Sequence, residues 1–266
     1  MGSRIKMDKA VLLSVENNIA WITLNRPKGM NCMSVELCEG LCEAVNACEN
    51  DPEVRVVVLT GSGRAFCAGG DLNALLAFNE ADAAEKYVRD AGVAAKNIFH
   101  SKKPYIAMVN GAAAGAGFNL ALVCDFVFAA DNAKFTQAFS SVGLVSDCGG
   151  NYLLPYAVGP MKAKELMMLP ATITAEEAKE IGIVRTVCPA DELKNEVEAF
   201  AGRLVSRPPL SVAGTKELVN AYSRLSFDDM MAREERVQGV LAVGEDAKEG
   251  ITAFFEKREA NFKGNS

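Results

Sequence analysis

Apolar and polar residues alternate over residues 10–16 and again over 19–25, on either side of Asn17-Asn18. Period-two alternation around a two-residue asparagine turn predicts a β-hairpin. Over 34–49 the period changes. Leu37, Leu41 and Val45 share one helical face behind Ser34, so this segment predicts a helix with Ser34 as its N-cap. Val54 to Thr60 is a continuous valine-rich run, the pattern of a strand covered on both faces. Residues 80–101 read as a second long helix, and Tyr105–Val109 and Asp125–Ala130 as further short strands. Strands alternating with helices predict parallel βαβ units, hence the α/β class. From Ala175 to Lys263 the pattern is mostly helical, with one strand-like run at Ile183–Cys188 and a break at Arg207-Pro208-Pro209. We expect an α/β core over residues 1–200 and a helical C-terminal extension over 201–266, within which Met230–Lys257 is amphipathic and charged.

Two glycine-rich segments interrupt this pattern, each after a predicted strand and before a helix-like stretch. The first is Phe66-Cys67-Ala68-Gly69-Gly70-Asp71-Leu72; the second runs from Asn110 to Asn119 and reads NGAAAGAGFN. Glycine permits positive φ and close backbone approach. A strand-to-helix junction leaves N–H groups without intrahelical partners. Two such junctions side by side could hold one oxyanion. The glycines alone leave two other readings open: tight packing, or a phosphate loop. The second lacks the Lys-Ser/Thr ending of a P-loop and a clean GxGxxG.

Composition narrows the classes. Half of the 266 residues are hydrophobic and the net charge is −6, which supports a large core and argues against a nucleic-acid binder driven by bulk charge. The eight cysteines are scattered without a CxxC and there is one His, so no zinc site is expected. We read the thiols as reduced, mostly buried small residues of a cytoplasmic protein. The N-terminus lacks the apolar stretch of a secretory signal. Residues 111–130 are nearly all apolar, but a membrane span there would place Asn119 and Asp125 in lipid, so no membrane association is expected.

The combination FCAGGDL at 66–72, NGAAAGAGFNLAL at 110–122 and AKFTQAFSSVGLVSDCGG at 133–150 resembles the crotonase (enoyl-CoA hydratase/isomerase) superfamily. LNRP at 24–27 and FFEKREANFKG at 254–264 extend the likeness over almost the whole chain. The resemblance implies a spiral of ββα units, a homotrimer or dimer of trimers with contacts from the C-terminal helices, and an acyl-CoA thioester substrate. Coenzyme A would arrive as part of that substrate, with no further cofactor. The oxyanion donors it implies are the Gly70 and Ala116 N–H groups. Ala68, Gly69, Asp71, Leu72, Asn119 and Phe139 would line or shape the acyl site. Arg26, Lys28 and Lys263 would meet CoA phosphates.

The two glutamates of the family's hydratases would fall at Asn119 and Phe139, neither of which can move a proton. Asp147, in GLVSDCGG, remains. Read by itself, Ser146 or Asp147 is an N-cap for a helix over Asn151–Ala157. Read through the resemblance, Asp147 matches the acid of dienoyl-CoA isomerases and of the phenylacetate-pathway isomerases, which handle Δ3-enoyl or ring-epoxide thioesters. We expect an isomerase in which Asp147 moves a proton from C2 to C4, its pKa raised by Phe139 and Leu144 and lowered by the nearby helix start. An atypical hydratase, nucleophilic attack by Asp147 and a catalytically silent acyl-CoA binder stay open. The bland readings of the remaining candidates are a surface His100, a helix-capping Asp71, a structural Asp125 and a Met167-Met168 pair in the core. Asn119 is read equally as a substrate contact or a loop anchor.

Overall fold

The computed structural model describes residues 6, 7 and 10–264. Seven strands form its larger sheet in the order β1 (Lys6–Met7), β2 (Val11–Glu16), β3 (Ile19–Leu24), β4 (Val56–Gly61), β6 (Tyr105–Val109), β8 (Phe126–Ala130) and β11 (Thr186–Cys188). The β2–β3 hairpin is antiparallel, and Asn17 and Asn18 both carry positive φ, 52° and 63°. A primed two-residue turn demands that geometry, and asparagine tolerates it. From β3 onward every pairing is parallel.

The smaller sheet runs β10 (Thr172–Thr174), β9 (Lys134–Thr136), β7 (Ala112–Ala114), β5 (Ala65–Cys67). Its short strands explain the repeat seen in the sequence. Each long strand of the first sheet hands the chain to a short strand of the second: β4 to β5, β6 to β7, β8 to β9. A helical element then closes each unit: α2 (Leu72–Leu76), α4 (Ala116–Leu122) and a 3-10 turn at Ala138–Val142. Sequence periodicity does not reveal these strands, because three residues are too few to show a period.

The larger sheet is covered on both faces. On one side lie α1 (Val35–Asn50) and α3 (Ala81–His100), with Leu37, Leu41 and Val45 buried as the helical spacing requires. Ser34 Oγ accepts the Leu37 N–H at 3.3 Å, which confirms the N-cap. On the other side α8 (Leu193–Val205) sets Leu193, Val197 and Ala201 against Val56, Val58 and Ile106. Both faces of β4 are thus buried, and its sequence opens on a run of three valines and a leucine for that reason. Helices α5 (Gly150–Val158), α6 (Pro160–Met168) and α7 (Ala175–Glu180) complete the α/β part.

The C-terminal helices are α9 (Pro209–Ala221), α10 (Phe227–Ala242) and α11 (Glu245–Glu256). Lys216 of α9 is buried, and its Nζ donates to Asp125 Oδ2 at 2.8 Å, Lys103 O at 2.9 Å and Ile98 O at 3.0 Å. Those three bonds use all three ammonium donors. Asp125 Oδ2 also accepts the Tyr105 N–H at 2.7 Å, so the acid expected to be structural ties α9 to the edge of β6. Arg55 adds bonds to Val205 O and Phe262 O. Met167 packs against the core, whereas Met168 is exposed, which corrects the expectation of a buried pair. No helix among the described residues is long and apolar enough to cross a membrane.

Removing one partner of a buried ion pair strands the other charge. Lys216→Met is expected to lose about 3–5 kcal/mol of unfolding free energy by this mechanism. Lys162→Met, which breaks an exposed pair with Glu165, is expected to change it by less than about 1 kcal/mol. Urea titration of both variants against the parent protein checks the contrast.

Candidate active site

The two glycine-rich segments meet because β5 and β7 are parallel neighbours. The first loop is held from below by the chain at Met30–Met33. Ala68 N–H donates to Met30 O at 3.0 Å, and Met33 N–H donates to Gly69 O at 2.8 Å. Asp71 N–H donates to Tyr87 Oη at 3.3 Å, and that hydroxyl donates to Met33 O at 2.9 Å. Every backbone N–H from 68 to 71 that is used this way points into the protein, and the Gly70 N–H has no acceptor among the described residues. In the second loop Gly115 N–H donates to Thr136 O at 2.9 Å, while the Ala116 N–H at the head of α4 has no acceptor either. A Cβ placed on Gly69 would stand 3.5 Å from Ala116 N, so the loops touch. Two unpaired N–H groups at one wall form a ready donor pair for an oxygen.

Both amides line a cavity of about 510 Å3. Asp147 lines it too, and it is the single carboxylate among the described residues that does. Its Oδ1 is buried without a hydrogen-bond partner. Burial pushes this carboxyl above the ordinary 3.8, while the Cys148 thiol and the Asp147 backbone pull it down. Phe139 and Leu144 contribute the apolar wall, as expected. The cysteines behind the site are protonated: burial pushes Cys38 and Cys67 up to about 12 and Cys148 further.

Asp147 is not a helix cap. The N-cap of α5 is Gly149, with φ 83°, and no side chain caps it. Cys148 just before it is also left-handed, with φ 46°. Two consecutive left-handed residues turn the chain sharply after Asp147, which separates its side chain from the helix start.

Of the other residues expected at the site, Ala68, Gly69, Leu72 and Phe139 line the cavity with the oxyanion donors. Asp71 does not; its carboxylate caps α2 by accepting from Asn73 and Ala74 N–H, as its bland reading held. Asn119 does not line the cavity either. It is fully buried, bonded to Gln137, Ser146 and the Asp147 carbonyl, so it is a loop anchor rather than a substrate contact. Lys28 and Lys263 are exposed and outside the cavity wall. His100 is exposed at the end of α3, edge-on to Phe99. Sequence reasoning missed Tyr87 and Gln137. Tyr87 carries no local signal in α3, and Gln137 gains its role only through Asn119 and Ser146. No group of three His, Cys, Asp or Glu among the described residues is arranged to hold a metal ion.

Known proteins resemble this chain in sequence and fold. Residues 14–265 match the family model for enoyl-CoA hydratase/isomerase. The chain is 38% identical over 257 residues to a crotonyl-CoA hydratase from Syntrophomonas wolfei, covering 95% of this chain and 97% of the relative. It is 35% identical over 266 residues to a 1,2-epoxyphenylacetyl-CoA isomerase from Escherichia coli, covering 97% and 100%. The crystal structure of an enoyl-CoA hydratase from Polaromonas sp. JS666 superposes with a TM-score of 0.91 at 37% identity, over 95% of this chain and 99% of that one. Similarity at this level over nearly the full length, together with two parallel strand–glycine–helix units, leads to one conclusion: the chain is a member of the enoyl-CoA hydratase/isomerase family and has the crotonase fold.

Proposed function

We propose that this protein is an acyl-CoA thioester isomerase that moves a double bond from the Δ3 to the Δ2 position. One observation carries the reading: a single carboxylate among the described residues, Asp147 with its buried Oδ1, shares a cavity with two unpaired backbone amides. The thioester oxygen accepts from Gly70 and Ala116 N–H. Ionised Asp147 takes a proton from C2, and the electron pair passes toward that oxygen. The amides hold the resulting enolate, each worth about 3–4 kcal/mol at such a site. Asp147, now neutral, delivers the same proton to C4, and the double bond settles between C2 and C3. No second acid is required. A ring-epoxide thioester enters the same scheme, since proton removal beside the thioester carbonyl is again the first step. Coenzyme A is part of the substrate, so the scheme invokes no separate cofactor. The assembly we propose is a homotrimer or dimer of trimers, supported by the exposed apolar residues Ile251, Phe254 and Phe255 on α11. Light scattering checks it, and a monomer at working concentration ends it.

With a Δ3-enoyl-CoA, conjugated-thioester absorbance is expected to rise; with a Δ2-enoyl-CoA it is expected to hold steady. A fall with the second substrate would favour hydration, and no change with either would favour a silent binder. Asp147→Asn is expected to lower the isomerisation rate by about 10²–10⁴-fold while binding of CoA esters persists.

Two pH effects follow from the raised Asp147 pKa. The base must be ionised, so kcat/KM is expected to rise with pH through a midpoint above 3.8. A carboxyl whose folded pKa exceeds its unfolded one stabilises the fold at low pH, and that contribution is lost as pH rises through the folded value. Asp147→Asn is therefore expected to raise the melting temperature at pH 7, with the gain vanishing in acid. An equal or lower melting temperature at pH 7 would contradict the burial argument.

A further inference from the structure

Behind Asp147 lies a closed ring of hydrogen bonds. Gln137 Nε2 donates to Asn119 Oδ1 at 2.7 Å, Asn119 Nδ2 donates to Ser146 Oγ at 2.9 Å, and Ser146 Oγ donates to Gln137 Oε1 at 3.4 Å. Each side chain gives one bond to the ring and receives one. All three residues are buried, Asn119 and Gln137 at 0% and 1% exposure. Asn119 has a second N–H, and it leaves the ring to donate to the Asp147 carbonyl oxygen at 2.9 Å. That carbonyl also accepts the Gly150 N–H at 2.8 Å. Asn151 Nδ2 fixes the preceding carbonyl, Ser146 O, at 2.5 Å.

The loop needs such anchors. Residues 144–147 have no regular structure, and Cys148 and Gly149 after them are both left-handed. Leu144 and Val145, on the cavity wall, are exposed, so close packing there does not fix it. Inside, a Cβ on Gly150 would fall 2.4 Å from Asn119 Nδ2 and from Ser146 Oγ, which shows how closely α5 is drawn onto the ring.

We infer that Asn119 is a positioning residue: through the Gln137–Asn119–Ser146 ring it fixes the backbone of Asp147 and so aims the carboxylate at the cavity. This rests on the reading of Asp147 as the proton carrier. An amide is the one side-chain type of this size that can do it. It accepts from Gln137 while donating twice, and it adds no charge beside Asp147. A carboxylate at 119 would lose both donors and face the Asp147 carbonyl with like polarity. Titratable groups near the Asp147 carboxyl are Cys148 beside it, Cys38 from α1 and Tyr87 from α3, all of which burial keeps protonated near neutrality.

Asn119→Ala and Ser146→Ala test the inference, the second removing one ring member while leaving the bond to Asp147. Asn119→Ala is expected to lower kcat by about 10²-fold through misplacement of the base, with KM for the thioester changed less than about two-fold. Loss of the anchor lets water reach the carboxyl, so the acid limb of the kcat/KM profile is expected to move to lower pH. Ser146→Ala is expected to shift both quantities in the same direction by less, and it carries the test if Asn119→Ala does not fold. A 13C NMR titration of the Asp147 carboxyl supplies a readout that needs no turnover. Its pKa is expected to fall in both variants. Folded variants with parental kcat, acid limb and carboxyl titration would overturn the inference. An inactive parent protein, or an active Asp147→Asn variant, would instead overturn the isomerase reading, and the NMR comparison would still decide whether Asn119 positions the loop.

Discussion

The Cys67 carbonyl sets the position of the whole site. Helix α4 begins directly against it: a Cβ on Gly117 would lie 2.1 Å from that oxygen, closer than any side chain allows. Only glycine lets α4 start there. The contact brings the head of α4, with its free Ala116 N–H, against the loop that carries the free Gly70 N–H. Neither loop makes a donor pair alone. The pairing of β5 with β7 and the missing Cβ at 117 together create it, so a fold-level crossover and a single absent methyl group produce one chemical feature.

This explains which parts of the site were legible in the sequence. The glycine segments stood out because close backbone approach restricts composition, and the strand before each loop stood out because burial on both faces makes it continuously apolar. The β2–β3 turn and the Ser34 cap were legible for the same kind of local reason. Resemblance to a family then named Gly70, Ala116 and Asp147. The three-residue strands β5, β7 and β9 were not legible, since pairing with distant chain segments makes Ala112–Ala114 a strand, not its own propensity. Tyr87 and Gln137 were invisible because their roles exist only through partners set by the fold: Asp71 and Met33, 16 and 54 residues away, for Tyr87, and Asn119 and Ser146, 18 and 9 residues away, for Gln137. Asp147 looked like a cap because aspartate before a helix usually is one. The left-handed pair Cys148-Gly149 displaced that role, and backbone handedness at a cysteine leaves no mark in the sequence.

Asp147 also shows fold and function pulling in opposite directions. Its Oδ1 is buried and unpartnered, so the ionised form costs folding free energy. Two successive left-handed residues, one of them not glycine, add strain next to it. A chain selected for stability alone would place a cap or an apolar residue there. The buried ring of Gln137, Asn119 and Ser146 offsets these costs with polar atoms that each have a partner, and paired groups in a dry interior are stiff. Strain, burial and the ring therefore belong together: the first two raise the energy of the loop, and the third holds it in place against them.

The same residues bear on the choice between moving a proton and adding water. Adding water across a conjugated thioester requires a group that orients and deprotonates the water while C2 is protonated. Among the described residues the cavity wall carries one carboxylate. Asn119 has committed one donor and its oxygen to the ring and its other donor to the Asp147 carbonyl, and Phe139 offers only a ring face and edge. A water placed near C3 would have Asp147 as its sole partner able to accept a proton, and that carboxylate would then have to serve both carbons at once. A proton returned to C4 asks for nothing more than the group that removed it from C2. The number of carboxylates at the described wall, rather than the fold or the oxyanion donors that hydratases and isomerases share, is what supports proposing isomerisation over hydration for this member of the family.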